Sequence, residues 1–194
     1  MQVIPPPLFV PECYADTALM RTLLRENEAN RAYLDKQAVN HQHGIGNVGN
    51  IMKEQGSPNT THRVLGMVDL DREFGQQKYL RQFTRVLDGS IVRGATQHVL
   101  LQHPQHPTQL LLVLNPVFEV WLAARAAEVG KTLADYDIPS KSKPFKKYSR
   151  IEDRNPNSGL RQLLAAIATA RHPAYAALAD FVAVVADTTR PLPW

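Results

Sequence analysis

The run Val64-Leu65-Gly66-Met67-Val68-Asp69-Leu70-Asp71 constrains this chain more than any other stretch. An apolar segment that ends in Asp-x-Asp reads as a buried strand delivering two carboxylates to one edge of a sheet. Residues two apart on a strand point to the same side, so Asp69 and Asp71 converge if the chain stays extended through both. Like charges held together repel, and a hard cation such as Mg²⁺ relieves that repulsion while accepting oxygen ligands. The pair also has a plainer reading. Asp71 precedes Arg72-Glu73-Phe74 and can cap a following helix by accepting a hydrogen bond from a free backbone amide.

With 194 residues and 44% hydrophobic content, the chain can bury one substantial core. The expected organisation is an α/β domain over residues 1–135, followed by a basic segment and C-terminal helices over 136–194 that pack on it. The single cysteine, Cys13, excludes an intrachain disulfide framework and fits a reducing compartment. Met1-Gln2-Val3-Ile4-Pro5-Pro6-Pro7 lacks the charged start and apolar core of a signal peptide, and no stretch has the apolar length of a membrane span. A cytoplasmic setting with no membrane partner is therefore expected.

The formal charge of +4 is small, but its distribution is uneven. Lys141, Lys143, Lys146, Lys147, Arg150 and Arg154 fall in one segment, interleaved with Phe145 and Tyr148, against only Glu152 and Asp153. Basic residues alternating with aromatics suit a surface that neutralises phosphates and stacks on bases, which makes nucleic acid the expected partner. A solvated lysine-rich loop is the alternative.

The remaining pattern alternates strands with helices. Leu8-Phe9-Val10 is a short apolar run ending at Pro11-Glu12, and residues 15–24 then show helical spacing with Asp16 or Thr17 as the natural cap. Residues 26–42 have mixed helical character, and residues 41–50, with three glycines, form a turn that matches no phosphate-binding fingerprint and reads as a structural loop. A helix is expected over residues 76–87, then strands at His98–Leu101 and Leu110–Leu114 joined by a surface turn at His103-Pro104-Gln105-His106-Pro107. Asn115-Pro116 opens an apolar helix, with proline fitting its first turn. Such alternation predicts a mainly parallel sheet flanked by helices, with sites at the carboxyl ends of the strands, where Glu12, Asp69, Asp71 and Asn115 would lie.

A glutamate closing the first strand and an Asp-x-Asp closing a later one form a constellation, and at these residues the sequence resembles the TOPRIM domain, the metal-binding module of topoisomerases, primases and OLD-family nucleases. Val10-Pro11-Glu12-Cys13-Tyr14-Ala15-Asp16 is similar to the family's opening motif, with Cys13 standing where glycine is usual. Asn115-Pro116-Val117-Phe118-Glu119-Val120-Trp121-Leu122 resembles the Asn-Pro-x-Phe-Glu-x-Trp-Leu stretch of the small RloB-like and abortive-infection branch. The resemblance spans roughly residues 8–125. It implies a TOPRIM-like, Rossmann-like fold with a C-terminal helical extension. It assigns Glu12 as general acid or base or as a metal ligand, Asp69 and Asp71 as ligands of Mg²⁺ or Mn²⁺, and Glu119 as an outer carboxylate. Lys143, Lys146 or Lys147 would hold a scissile phosphate. The activity implied is metal-dependent nuclease hydrolysis of DNA or RNA, in phage defence, with an ATPase as a candidate protein partner. A non-catalytic module binding nucleic acid or protein through the same fold is the alternative.

Other candidates have simpler accounts. His98, His103 and His106 are interrupted by Pro104 and Pro107 and joined by no cysteine, which argues against zinc. Cys13 lacks a defined histidine partner and reads as a small buried residue. Phe118 and Trp121 have core spacing, and Glu119 beside them points to the rim or to solvent. Leu160–Ala170 and Tyr175–Ala186 read as helices, the first capped by Ser158 or Asn157 and ended by His172-Pro173, and the proline-containing tail from Thr188 to Trp194 is not helical.

Overall fold

The computed structural model describes residues 5–34, 38–56, 62–92, 95–152 and 158–194. Its centre is a five-stranded mixed sheet of order β1-β2-β5-β4-β3, with β1 Leu8–Pro11, β2 Val64–Asp69, β3 Arg85–Asp88, β4 Gln97–His103 and β5 His106–Asn115. β1, β2 and β5 run parallel, while β4 pairs antiparallel with both β5 and β3. β2 lies between β1 and β5 and is covered on both faces, which is why its sequence is a continuous apolar run and not an alternation. The β4–β5 connection turns at Pro104-Gln105, as the sequence predicts.

Alternation sorts the side chains of β2 between two layers. Val64 and Val68 pack with Ile45, Val48 and Met52 of α2 (Ile45–Glu54), whereas Leu65 and Met67 pack with the helices of the other face. That second layer holds α1 (Tyr14–Arg25), α3 (Phe118–Glu128), α4 (Ser142–Glu152), α5 (Gly159–Thr169) and α6 (Pro173–Ala186). Phe118 and Trp121 are buried there, each large apolar side chain contributing about 1.5–3 kcal/mol by leaving water. Gly66 permits the close approach of α2: a Cβ on it would stand 2.3 Å from Met52 Sδ and 3.0 Å from Leu111 Cδ1.

Several local expectations are corrected, among them the loop expected over residues 41–50, of which residues 45–50 are the first turns of α2 after its cap Gly44. Residues 76–87 do not form a helix. Phe74–Gln76 and Leu80–Gln82 are single 3₁₀ turns, ended by extended ψ angles of 95° at Gln77 and 88° at Phe83, and Arg85–Asp88 is the edge strand β3. Pairing with β4, and burial of Leu80 and Phe83 on the sheet, override the local helical spacing. In the segment expected to be of mixed helical character, Glu28–Tyr33 is 3₁₀ and Val39 instead bridges in parallel to Phe9; residues 35–37 lie outside the described residues. The first helix starts at Tyr14 with Cys13 as its cap residue, and Asp16 sits in its first turn, where its Oδ2 accepts from the Cys13 amide at 3.1 Å. Pro116 precedes the α3 cap residue Val117 instead of entering the helix, after a cis Asn115–Pro116 bond. Pro173 opens α6 directly after its cap His172.

Ser158 caps α5, while Asn157, Asp153 and Arg154 lie outside the described residues. The tail after Asp187 is non-helical, and Trp194 stacks on Phe181 with ring centroids 5.3 Å apart. Among the described residues no helix is long and apolar enough to cross a membrane.

Candidate functional site

The carboxyl ends of β1 and β2 and the start of α3 meet at a cleft of about 250 Å³. Glu12, the residue after β1, and Asp69, the last of β2, both line it, as do Asp71, Glu73 and Glu119. Parallel register explains the meeting of the first two. Pro11 pairs with Met67, and the Glu12 amide donates to the Met67 carbonyl at 3.0 Å, so both strands end at the same level. The Asp69 amide in turn donates to Glu12 Oε2 at 3.4 Å. Asp69 leaves β2 on the face of Leu65 and Met67, where its Oδ1 accepts from the Phe118 amide at 2.8 Å. A carboxylate from β2 thus satisfies a free N–H at the start of α3, which its own cap residue Val117 cannot do with an apolar side chain.

Asp71 departs from the simple strand geometry. β2 ends at Asp69, so extension does not continue through Asp71, and its Oδ1 accepts from the Glu73 and Phe74 amides at 2.8 and 3.3 Å. The plain turn-closing reading describes this residue locally, although its exposed carboxylate still borders the cleft. Glu119 is only 7% exposed and faces the cleft, so of the two directions expected for it the rim is the one taken.

Burial, reinforced by the crowding of acids, sets the electrostatics. Burial, then the charges of Asp71 and Glu73, raise the Glu12 pKa from 4.5 to about 7, against the opposing pull of the Asp69 amide and Lys146. Burial, then the charges of Asp16, Glu12 and Glu119, push Asp69 well above the usual carboxylate range. Asp16, fully buried one turn into α1, is raised from 3.8 to about 8 by burial and by Glu12, and its Oδ1 has no hydrogen-bond partner. Burial and Asp16 also push the Cys13 thiol up, which keeps it protonated and argues against a nucleophile.

Cations stand across from these acids. The lysine-rich segment is helical, and Lys143, Lys146, Lys147 and Arg150 fall at i, i+3, i+4 and i+7, one face of α4, while Phe145 on the other side is buried in the core. Lys146 and Arg150 line the cleft, as does buried Ser149; Lys143 and Lys147 are exposed and lie outside the lining.

The sequence reading missed Asp16, hidden as a cap, and also the wall built by Tyr14, His41 and His43. The segment 39–44 runs beside β1, with the Asn40, Gln42 and Gly44 amides donating to the Phe9, Pro11 and Glu12 carbonyls. His41 and His43 share the two-residue spacing of an extended segment, the one local sign of this wall, and both enter the cleft lining.

Oxygen donors of this kind fit a hard divalent cation. A cation would offset the burial and mutual repulsion that raise Glu12 and Asp69, and would offer charge near the unpaired Asp16 oxygen. Among the described residues no three His, Cys, Asp or Glu side chains already stand as a closed ligand group. Mg²⁺ commonly takes one or two carboxylates and completes its shell with water and phosphate oxygens, so Glu12 and Asp69 suffice as protein donors. Compared with known proteins, the chain matches no family profile, no curated protein and no solved structure.

Proposed function

We propose that this chain is a metal-dependent phosphodiesterase acting on nucleic acid, with the Glu12 and Asp69 pair as its centre and a TOPRIM-like arrangement of its α/β sheet. The observation that carries this reading is the convergence of Glu12 and Asp69 at the ends of adjacent parallel strands, both held far from their ordinary pKa values, with Lys146 and Arg150 lining the same cleft. Perturbed acids gathered in a cleft make that cleft a functional-site candidate.

Glu12 and Asp69 would hold Mg²⁺ or Mn²⁺, with Asp71 and Glu119 as flanking carboxylates. A bound cation supplies charge stabilisation on a phosphodiester and acidifies coordinated water. In the metal-free site the Glu12 carboxyl is raised to about 7 and can hold or release a proton around neutral pH, a role open to it when it is not itself a ligand. Lys146 and Arg150 neutralise phosphate oxygens at the cleft, Lys146 as a point charge and Arg150 as a planar fork. The Asp69–Phe118 hydrogen bond fixes Asp69 against rotation, so the site is positioned before substrate arrives. A role in phage defence with an ATPase partner extends the same proposal through the resemblance of Asn115–Leu122.

The test is hydrolysis of labelled DNA and RNA in Mg²⁺ or Mn²⁺ by the whole protein and by Asp69→Ala, together with calorimetric titration of the metal. Cleavage and metal affinity that both vanish in Asp69→Ala are expected. Absence of both from the native chain refutes the reading. Metal-independent binding lost in Lys146→Ala but intact in Asp69→Ala would establish the non-catalytic binding module instead.

A further inference from the structure

Tyr14, His41 and His43 form a continuous wall of rings inside the cleft that the acid and cation chemistry above does not use. The Tyr14 and His41 ring centroids are 4.1 Å apart, His41 and His43 are 4.1 Å apart, and Tyr14 and His43 are 5.5 Å apart. Their planes are inclined by 59°, 46° and 71°, so no ring covers the whole face of its neighbour. Thr17 Oγ1 lies 3.3 Å from His41 Nδ1 and helps to hold that ring, while His43 is exposed and Tyr14 and His41 are half-buried, so the rings are open to the cleft. His43 sits there in a left-handed conformation, φ 57°, immediately before Gly44 opens α2.

The rings and the cations reach the cleft from different elements, Tyr14 from the first turn of α1, which shares its layer with α4. His41 and His43 lie on the segment that borders β1 and leads into α2, whereas Lys146 and Arg150 come from α4, whose Phe145 is buried in the core on the opposite face of the sheet. Rings and cations that line one cleft can hold bases by their faces and phosphates by their charge, the pairing that binds unpaired strands. Bases within a duplex have their faces covered by stacking and cannot use such a wall unless they are extruded.

We infer that Tyr14, His41 and His43 are a nucleobase platform, and that the strand entering this cleft is single-stranded, its base on the rings and its phosphates along Lys146 and Arg150. The inference rests on the nucleic-acid reading above and assigns the form of polynucleotide and the residues that select it.

Fluorescence anisotropy of the whole protein in Ca²⁺ buffer, with labelled oligothymidylate, oligouridylate and a duplex of equal length, tests it. Single strands are expected to bind at least about tenfold more tightly than duplex. His43→Asn keeps a residue that tolerates the left-handed backbone and removes the ring; it should weaken single-strand binding about tenfold and leave duplex binding within twofold. His41→Phe, which retains a ring, should bind single strands like the native chain, and His41→Gln, which retains polarity alone, should lose as much as His43→Asn. Circular dichroism melts confirm that each variant is folded. Preference for duplex, unchanged single-strand affinity in a folded His43→Asn, or equal losses in His41→Phe and His41→Gln each overturn the platform. Cleavage that persists in Mg²⁺ under any of those outcomes leaves the phosphodiesterase standing without it. No binding of any polynucleotide by the native chain removes both.

Discussion

Replacing Glu12 with glutamine separates what this side chain does for chemistry from what it does to the fold. In the metal-free protein the carboxyl is raised from 4.5 to about 7, chiefly by burial. Between those values the folded protein keeps a proton that the unfolded chain has released. The associated stability is fully present below the unfolded value and is lost as pH rises through about 7. The loss for this one group amounts to about 3 kcal/mol at pH 8. Glutamine does not ionise, keeps an acceptor oxygen for the Asp69 amide, and turns an N–H donor toward its acidic neighbours. Melting in EDTA should therefore place Glu12→Gln about 5–10 °C above the native chain at pH 8 and level with it at pH 4. Asp16, raised to about 8 with Glu12 among the causes, adds a slope of the same sign that is shallower in the variant. Mn²⁺ should raise the native melting temperature, leave the variant unmoved and support hydrolysis only by the native chain. A variant less stable than the native chain at pH 8, or melting curves that run parallel from pH 4 to pH 8, would falsify the claim that burial and neighbouring acids hold Glu12 protonated near neutral pH.

Three further outcomes follow from the packing and charge. Gly66→Ala forces a methyl group against Met52 Sδ and Leu111 in the seam between α2 and the sheet, and should lower stability by about 1–3 kcal/mol in urea titration, with partial recovery when Met52→Ala is added. Arg63 donates to the Val184, Val185 and Asp187 carbonyls at 2.9, 3.3 and 2.6 Å, and also to the Arg190 carbonyl. Its replacement by alanine leaves the carboxyl end of α6 uncapped, so stability should fall by about 2–3 kcal/mol and amide exchange should rise over residues 184–190. Lys146→Ala with Arg150→Ala removes two phosphate-neutralising cations, and the logarithmic salt dependence of single-strand binding should fall in slope by about 1.4; an unchanged slope would place the phosphates elsewhere.

How much of this was legible in the sequence depends on whether a residue's place is set locally or by distant pairing. Val64–Asp69 is apolar at every step because both faces of β2 are covered, so its strand character and the carboxylate at its end can be read without knowing its neighbours. Glu12 is legible for the same reason, as the polar residue that stops a short apolar run before a helix. Asp71 marks the limit of that logic. Two-residue spacing predicts convergence only while the strand lasts, and the chain turns after Leu70, whose amide makes the last bond to the Leu114 carbonyl at 2.7 Å. β3 was hidden because an edge strand takes its conformation from β4, and helical spacing within residues 76–87 carries no record of that partner. The histidine wall is the extreme case. No hydrophobic period marks residues 39–44; their position comes from backbone hydrogen bonds to β1. The acids at strand ends are therefore found by pattern, whereas the rings that would choose among substrates emerge only from topology, because His41 and His43 lie on a segment placed by backbone pairing with β1 and held by the Thr17–His41 contact, neither of which leaves a hydrophobic period.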